Sequence, residues 1–253
     1  MRRYFSFMTA AAVVVGLFTA PVAMSAPQFF KGSGDLGNGE RIFKNGKGDV
    51  PACNSCHGAD GTGDEAMGTP GLAGQFYPFL IKQLEDFAKG AEQGGRDDTT
   101  MFVMNNNARG LTAQDRKDVS YYLSQIKLDV STEVAKGRQF LKEAAASGEQ
   151  VGLTHLGKSI VEIGSPEISA CKSCHGYAGR GAPPVYPIIG LQRYNYLVSQ
   201  LKKWRDGSRA NDPMGQMQEI ARRMSDEQIH NAAAYLTQAS PYSDGNFFTP
   251  YDH

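Results

Sequence analysis

The sequence predicts an all-α protein formed by two similar helical domains in tandem. An internal repeat divides the chain into halves of about 100 residues each. Apolar residues in each half recur at helical spacing, and runs of β-branched residues are few. A length of 253 residues, 41% of them hydrophobic, is sufficient for two small cores.

The repeat is clearest at two cysteine motifs. Cys53-Asn-Ser-Cys56-His57-Gly58 recurs 118 positions later as Cys171-Lys-Ser-Cys174-His175-Gly176, and 39–46 matches 157–164 at the same offset. Further matches, at offsets of 117 and then 113, join Gln83, Leu84, Gly90, Met101, Met104, Tyr122 and Leu123 to Gln200, Leu201, Gly207, Met214, Met217, Tyr235 and Leu236. The order is kept and only the spacing changes, so we interpret the chain as a duplicated domain with loops of different length.

Helix starts can be predicted in both halves. Thr112 followed by Asp115 has the pattern of a capping box, and Ser225 with Gln228 repeats it in the second half. The apolar residues predicted on buried helix faces are Leu80, Leu84, Phe87, Val119, Leu123, Ile126, Ile229, Ala233 and Leu236. We interpret these stripes as core packing.

The first residues have the features of a secretory signal peptide, which we assign to 1–26. Arg2 and Arg3 precede the apolar run 10–17, and small residues suited to cleavage lie at 23–26. An uncleaved membrane anchor is the alternative, but the run is short for a bilayer span and Pro21 follows it closely. We therefore predict export to a bacterial periplasm.

The other predicted boundaries follow from the repeat. They are an N-terminal domain at 27–128, a connector containing a candidate helix at 129–156, a C-terminal domain at 157–239 and a tail at 240–253. An alternative alignment would begin the second domain at Gly137–Phe140. We prefer Gly157, because the first cysteine then follows the aligned glycine by 14 residues in both halves.

The two cysteine motifs predict covalently bound haem c. Cys53, Cys56, Cys171 and Cys174 are all of the chain's cysteines, and each pair is followed directly by a histidine, His57 or His175. Cys-x-x-Cys-His is the attachment signature of c-type haem, in which two thiols form thioethers and the histidine ligates iron. Disulfides would not require a histidine directly after each pair. A zinc site would need four ligands from the two pairs and would not explain the paired methionines. A thioredoxin-like redox pair expects a strand-to-helix setting that is absent. We predict two haems c.

Methionine is the predicted second axial ligand, because a soft thioether favours Fe(II). Two methionine pairs recur between the halves, Met101 with Met214 and Met104 with Met217. The residues themselves do not decide which member of each pair binds iron.

Each half resembles a class I cytochrome c domain, and the tandem resembles the dihaem cytochrome c4 family. This resemblance rests on the Gly-x-x-Ile/Phe pattern of the first helix in each half, the haem motifs, Leu72–Gln75, Gln83-Leu84, the methionines and the final Ala-Tyr-Leu helix. The resemblance implies that Met104 and Met217 are the ligands, and that Pro70 and Pro187 offer carbonyls to the histidines. The sequence departs from the family pattern in its connector, in an Ala-Gly-Gln missing after Pro187, and in an aromatic tail over 242–253.

The formal net charge is zero, which gives no indication of nucleic-acid binding. The resemblance implies a periplasmic carrier that takes electrons from a quinol-oxidising complex to a terminal oxidase and that catalyses no reaction of its own. The alternative is an electron-accepting subunit of a periplasmic dehydrogenase, for example one that oxidises sulfide or thiosulfate. A dihaem peroxidase or thiosulfate dehydrogenase would need an open or cysteine-ligated iron, whereas every cysteine is already used. Peripheral association with a membrane stays open.

Overall fold

The computed structural model describes residues 33–97 and 103–241, so the predicted signal peptide, Met101 and the tail from residue 242 onwards lie outside it. Within those ranges the regular structure is helical, with isolated bridges and no strand, which confirms the all-α prediction. The helices are α1 (Leu36–Asn45), α2 (Asn54–His57), α3 (Tyr77–Lys89), α4 (Val103–Gly110), α5 (Ala113–Gln125), α6 (Val130–Ala146), α7 (Thr154–Glu162), α8 (Lys172–His175), α9 (Tyr194–Asp206), α10 (Gln216–Arg222) and α11 (Asp226–Leu236).

Helices α1 to α5 recur in order as α7 to α11, and α6 lies between the two sets. Each set packs around its own apolar core. The first core contains Ile42, Phe43, Val50, Leu80, Leu111, Val119 and Leu123. The second contains Ile160, Val161, Ile168, Leu197, Met224, Ile229 and Leu236, among others. The tandem arrangement is therefore two helical domains with separate cores.

The first and last helices of each domain cross at a glycine. A Cβ added to Gly39 in α1 would overlap the carbonyl oxygen of Asp118 in α5, and one added to Gly157 in α7 would overlap that of Asn231 in α11. Asp118 and Asn231 are themselves related by the 113-residue offset. The equivalence of the two crossings supports the alignment of the second domain on Gly157.

Both predicted capping boxes are present. The Thr112 hydroxyl accepts from the backbone N–H of Asp115, whose carboxylate accepts from the backbone N–H of Thr112. Ser225 and Gln228 form the same reciprocal pair at the start of α11. These contacts satisfy backbone donors that a helix start leaves without an intrahelical partner.

Helix α6, which fills most of the predicted connector, packs on the second domain. The ring of Phe140 lies 5.6 Å from that of Tyr194. The buried carboxylate of Glu133 forms an ion pair with Arg193 at 2.6 Å, and Arg193 Nε donates to the carbonyl of Thr62 at 2.6 Å. One ion pair therefore joins the connector to the second domain, and the same arginine reaches the first.

The two domains meet through a reciprocal pair of glutamines. The side chain of Gln75 donates to Ile188 O at 2.9 Å and accepts from Ile188 N at 3.0 Å. The side chain of Gln192 makes the same two contacts with the backbone of Gly71, at 3.0 and 2.8 Å. Both pairs of positions differ by 117 residues, so a pseudo-two-fold axis relates the contacts.

This interface adds a detail to the missing Ala-Gly-Gln segment after Pro187. The tripeptide is absent, but its glutamine is kept, because Gln192 occupies the place of Gln75. The two positions before it are Gly190 and Leu191, where the first domain has Ala73 and Gly74. Leu191 keeps the left-handed backbone of Gly74, with φ of 60° against 70°. The glutamine contact was hidden in the sequence by the changes at the two positions that precede it.

Candidate haem sites

The second cysteine of each motif lies in a short helix, α2 or α8, and the first cysteine is the N-cap residue of that helix. The four cysteines form no disulfide. In each motif the second cysteine and the histidine donate backbone N–H groups to the carbonyl of the first cysteine. This single helical turn brings both thiols and the imidazole of one motif close together. Before haem attachment, burial raises the pKa of the Cys53 and Cys171 thiols to about 11.

Both motif histidines are buried and oriented by a proline carbonyl. His57 Nδ1 lies 3.1 Å from Pro70 O, and His175 Nδ1 lies 2.9 Å from Pro187 O. Donation from Nδ1 fixes the tautomer in which Nε2 carries the lone pair that a metal requires. Burial also lowers the pKa of His175, which favours the neutral ligand form.

The candidate distal methionines differ in exposure. Met104 in α4 and Met217 in α10 are both half-buried. Met214 is 89% exposed on a turn, with φ of 58°, whereas its partner Met101 lies outside the described residues. The Met217 N–H donates to Asp212 Oδ2 at 2.6 Å, which anchors the start of α10. A thioether directed into solvent is poorly placed to share a buried site with His175.

A second symmetric cluster contains two buried arginines that the sequence analysis did not single out. Arg96 donates to Gln83 and Gln200 at 2.7 Å each, and Arg209 donates to Gln200 at 2.7 Å and to Gln83 at 3.2 Å. Each guanidinium also stacks on an aromatic ring, Arg96 on Phe87 and Arg209 on Trp204. The repeat could have revealed this pair, because the two arginines differ by the same 113 residues as the methionines.

This arginine cluster lacks a carboxylate partner. Neither guanidinium forms an ion pair with any residue in the described ranges. Burial and the neighbouring charge of Arg96 lower the pKa of Arg209 to about 9. Among the described residues, the two buried cations are held by amide oxygens, the Tyr196 hydroxyl and aromatic rings, without an anionic partner. Such a pair is suited to binding anions, for example the propionates of haem.

The donor set therefore fits haem c: paired thiols, oriented imidazoles, half-buried thioethers and buried guanidiniums. A family model for cytochrome c matches residues 37–127 and 162–240. The chain belongs to the cytochrome c family. Haem c is accordingly its cofactor, and the resemblance to the cytochrome c4 family is also confirmed, since cytochrome c4 of Pseudomonas aeruginosa is 31% identical over 76% of this chain and 85% of its own.

Other relatives of this cytochrome carry a different description. The thiosulfate dehydrogenase electron acceptor of Thiomonas intermedia is 35% identical over 77% of this chain and 81% of its own. The protein of the same name from Stutzerimonas stutzeri is 33% identical over 89% of this chain and 97% of its own. Both descriptions are of electron carriers, so the cytochrome functions in electron transfer.

Two solved structures share its fold. Reduced recombinant cytochrome c4 from Pseudomonas stutzeri has a TM-score of 0.62 and 26% identity, covering 82% of this chain and all of that one. Thiosulfate dehydrogenase (TsdBA) from Marichromatium purpuratum has a TM-score of 0.66 and 30% identity, covering 80% of this chain and 40% of that one. The second match places a segment similar to this cytochrome within a longer enzyme chain. No helix in the described part of the cytochrome is long and apolar enough to cross a membrane.

Proposed function

We propose that this cytochrome accepts electrons from a periplasmic dehydrogenase that oxidises thiosulfate and passes them to a respiratory terminal oxidase. The observation that carries the proposal is the match to a thiosulfate dehydrogenase electron acceptor over 97% of that relative's length. The longer chain named thiosulfate dehydrogenase adds support, because it contains a segment similar to most of this protein.

Each domain in this proposal holds one haem through its own residues. Cys53 and Cys56 bind the first haem, and Cys171 and Cys174 bind the second. His57 and Met104 would ligate the first haem iron, and His175 and Met217 would ligate the second. The haem supplies a reversible Fe(II)/Fe(III) couple, whereas the protein fixes both ligands and limits solvent at the iron. The carbonyls of Pro70 and Pro187 hold the imidazoles in one orientation, which keeps structural change on electron transfer small.

The carrier itself turns over no substrate in this proposal. Every cysteine is assigned to haem attachment, and each domain contains its own half-buried methionine near the start or middle of a helix. The proposed location is the periplasm, reached through the signal peptide assigned to 1–26. The domain boundaries at 27–128 and 157–239, with the 129–156 connector and the 240–253 tail, belong to the same proposal.

A second candidate donor is a quinol-oxidising complex. The match to cytochrome c4 supports it, because the c4 structure is covered over its whole length. The two candidates differ only in the electron donor, since a terminal oxidase accepts the electrons in both.

Rapid-mixing reduction kinetics distinguish the two donors. The oxidised cytochrome is mixed either with a purified periplasmic thiosulfate dehydrogenase and thiosulfate, or with a quinol-oxidising complex and quinol. We expect saturable reduction of both haems by the dehydrogenase at rates that match its turnover. Reduction by the quinol-oxidising complex alone would refute the dehydrogenase assignment and favour the c4-type route.

A further inference from the structure

Glu162, the last residue of α7, is a buried carboxylate with no positive partner. The residue is 5% exposed. Its Oε1 atom accepts from the backbone N–H of Ala178 at 2.9 Å and from the hydroxyl of Tyr235 at 3.0 Å. Its Oε2 atom is buried and accepts no hydrogen bond, and no cation within the described ranges forms an ion pair with the group. Burying an anion without a positive partner costs free energy of folding, so the presence of Glu162 at this position needs an explanation.

The position of Glu162 relates it to the second haem site. Ala178, which donates to its carboxylate, lies three residues after His175. Burial raises the pKa of the Cys171 thiol, and the charge of Glu162 raises it further. The field of the carboxylate therefore acts at one of the two sulfur atoms through which the haem is attached.

The first domain has no such group at the equivalent place. The residue 118 positions earlier is Lys44, whose side chain is 50% exposed and forms an ion pair with Glu40 at 2.6 Å. Solvent and the adjacent carboxylate screen that charge. The two domains, which share their fold and candidate ligands, therefore differ in charge at this position.

We propose that Glu162 sets the reduction potential of the C-terminal haem by stabilising its oxidised state. Oxidation adds one positive charge to the haem iron, and a fixed anion in a poorly solvated environment attracts that charge. The reduced haem lacks the added charge, so the carboxylate favours Fe(III) over Fe(II) and lowers the potential. The oxidised haem in turn provides the compensating charge that the protein does not. This inference does not depend on which donor reduces the cytochrome.

The consequence is a built-in inequality between two otherwise similar centres. Glu162 biases a single electron away from the C-terminal haem and toward the N-terminal one. A duplicated carrier whose haems were equal would share one electron evenly between them. The carboxylate on α7, which has no counterpart in the first domain, contributes to removing that degeneracy.

The test is potentiometry of the full-length dihaem protein carrying Glu162→Gln. The amide oxygen can still accept from Ala178 and Tyr235, so the charge is removed with little change in shape. We expect the potential of the C-terminal haem to rise by up to about 59 mV, which corresponds to a tenfold change in its Fe(II)/Fe(III) ratio. The N-terminal haem should not shift. The two one-electron waves are assigned by NMR signals of the haem methyl groups in each domain.

Lys44→Gln is the matched control and should leave both potentials in place, because Lys44 is exposed and already paired. Glu162→Met, which removes the charge with an apolar side chain of similar length, provides a second variant if the amide impairs maturation. An unchanged C-terminal potential in a fully haem-loaded variant would overturn the proposal. An equal shift of both haems would do so as well, because it would indicate a global change rather than a local charge.

Discussion

At the scale of single residues, the candidate ligands are oriented by backbone groups. Each motif histidine is held by the carbonyl of a proline 12 or 13 residues further along the chain. Proline fixes its own φ at about −65°, which restricts the loop that carries each of these carbonyls. The family resemblance implies this role for Pro70 and Pro187, and both carbonyls lie within hydrogen-bond distance of the histidines.

The choice of distal methionine is testable by substitution. Met217→Ala should remove half of the near-infrared sulfur-to-iron charge-transfer band of the oxidised protein, because one of two thioether ligands is lost. Met214→Ala should leave the band unchanged, since that side chain is 89% exposed. Met104→Ala and Met101→Ala form the corresponding pair in the first domain. Loss of the band in the Met214 and Met101 variants instead would reverse the assignment.

Asp115 gives the first domain a predictable pH dependence. Burial tends to raise the pKa of its carboxyl, but hydrogen bonds from Lys47, Thr112 and Asn38 outweigh that effect and hold the pKa well below its usual range. The resulting stabilisation is complete above the unfolded pKa of about 3.9 and is lost as the pH falls toward the folded value. Asp115→Asn should lower the free energy of unfolding at pH 7 by about 1–3 kcal/mol.

Denaturant unfolding of the first domain at several pH values measures this effect. The wild-type protein should lose stability below about pH 4 more steeply than Asp115→Asn. Gln228 occupies the same cap position in the second domain, so Gln228→Asn, which exchanges one neutral amide for another, should leave the pH dependence unchanged. Identical pH profiles for the wild-type protein and Asp115→Asn would contradict the role of this carboxylate.

At the scale of elements, each domain depends on a close crossing of its first and last helices. Glycine at the crossing allows the backbone of α1 to approach α5, and that of α7 to approach α11. Glycine weakens an isolated helix, so its presence in α1 and α7 reflects packing and not helix propensity. Both crossings place the C-terminal end of the first helix against the loop that follows the haem motif.

Alanine substitutions at two glycines of α1 distinguish the effect of helix packing from that of helix propensity. Gly39→Ala should destabilise the first domain by about 1–3 kcal/mol, because the added methyl overlaps the carbonyl of Asp118. Gly37→Ala, two residues earlier, meets only Asp35 Oδ1 at 3.5 Å and should leave stability unchanged or raise it by up to about 1 kcal/mol. Thermal unfolding of both haem-loaded variants is the measurement. Equal effects of the two substitutions would show that the crossing does not limit helix approach.

At the scale of the whole molecule, the two domains form one pseudo-symmetric body. Gln75 and Gln192 exchange backbone contacts across the interface, and the Arg96–Arg209 cluster lies across it as well. Helix α6 adds an asymmetric element, because its Glu133 holds the arginine that reaches Thr62. The interface therefore combines two pseudo-symmetric clusters with one asymmetric helix.

A carrier with two closed irons should bind external ligands poorly. We expect the reduced protein to bind carbon monoxide, and the oxidised protein to bind cyanide, slowly or not at all at neutral pH. The physical reason is that, in the proposed ligand set, the Met104 and Met217 thioethers would hold the haem irons and exclude other ligands. Optical titration measures both reactions, and Met217→Ala serves as a positive control in which one site is opened. Rapid stoichiometric binding by the unmodified protein would indicate a catalytic haem.

The sequence by itself determined the duplication, the haem motifs and the candidate ligands. These features are local or repeated: Cys53, Cys56 and His57 lie within one helical turn, and the repeat aligns each with its counterpart. The structure decided the features that depend on contacts between residues more than 50 positions apart. Gln192 was hidden by the exchange of its two preceding neighbours, and α6 could be assigned to a domain only from its packing.

The buried charges show the same division. The 113-residue offset relates Arg96 to Arg209, but it does not show that either arginine is buried, and no pattern in the sequence distinguishes Glu162 from a surface residue. Folding places the two arginines together at the interface and encloses Glu162 beneath Ala178 and Tyr235. The energy of a charge depends on its distance from solvent and from other charges, and only the tertiary structure sets those distances.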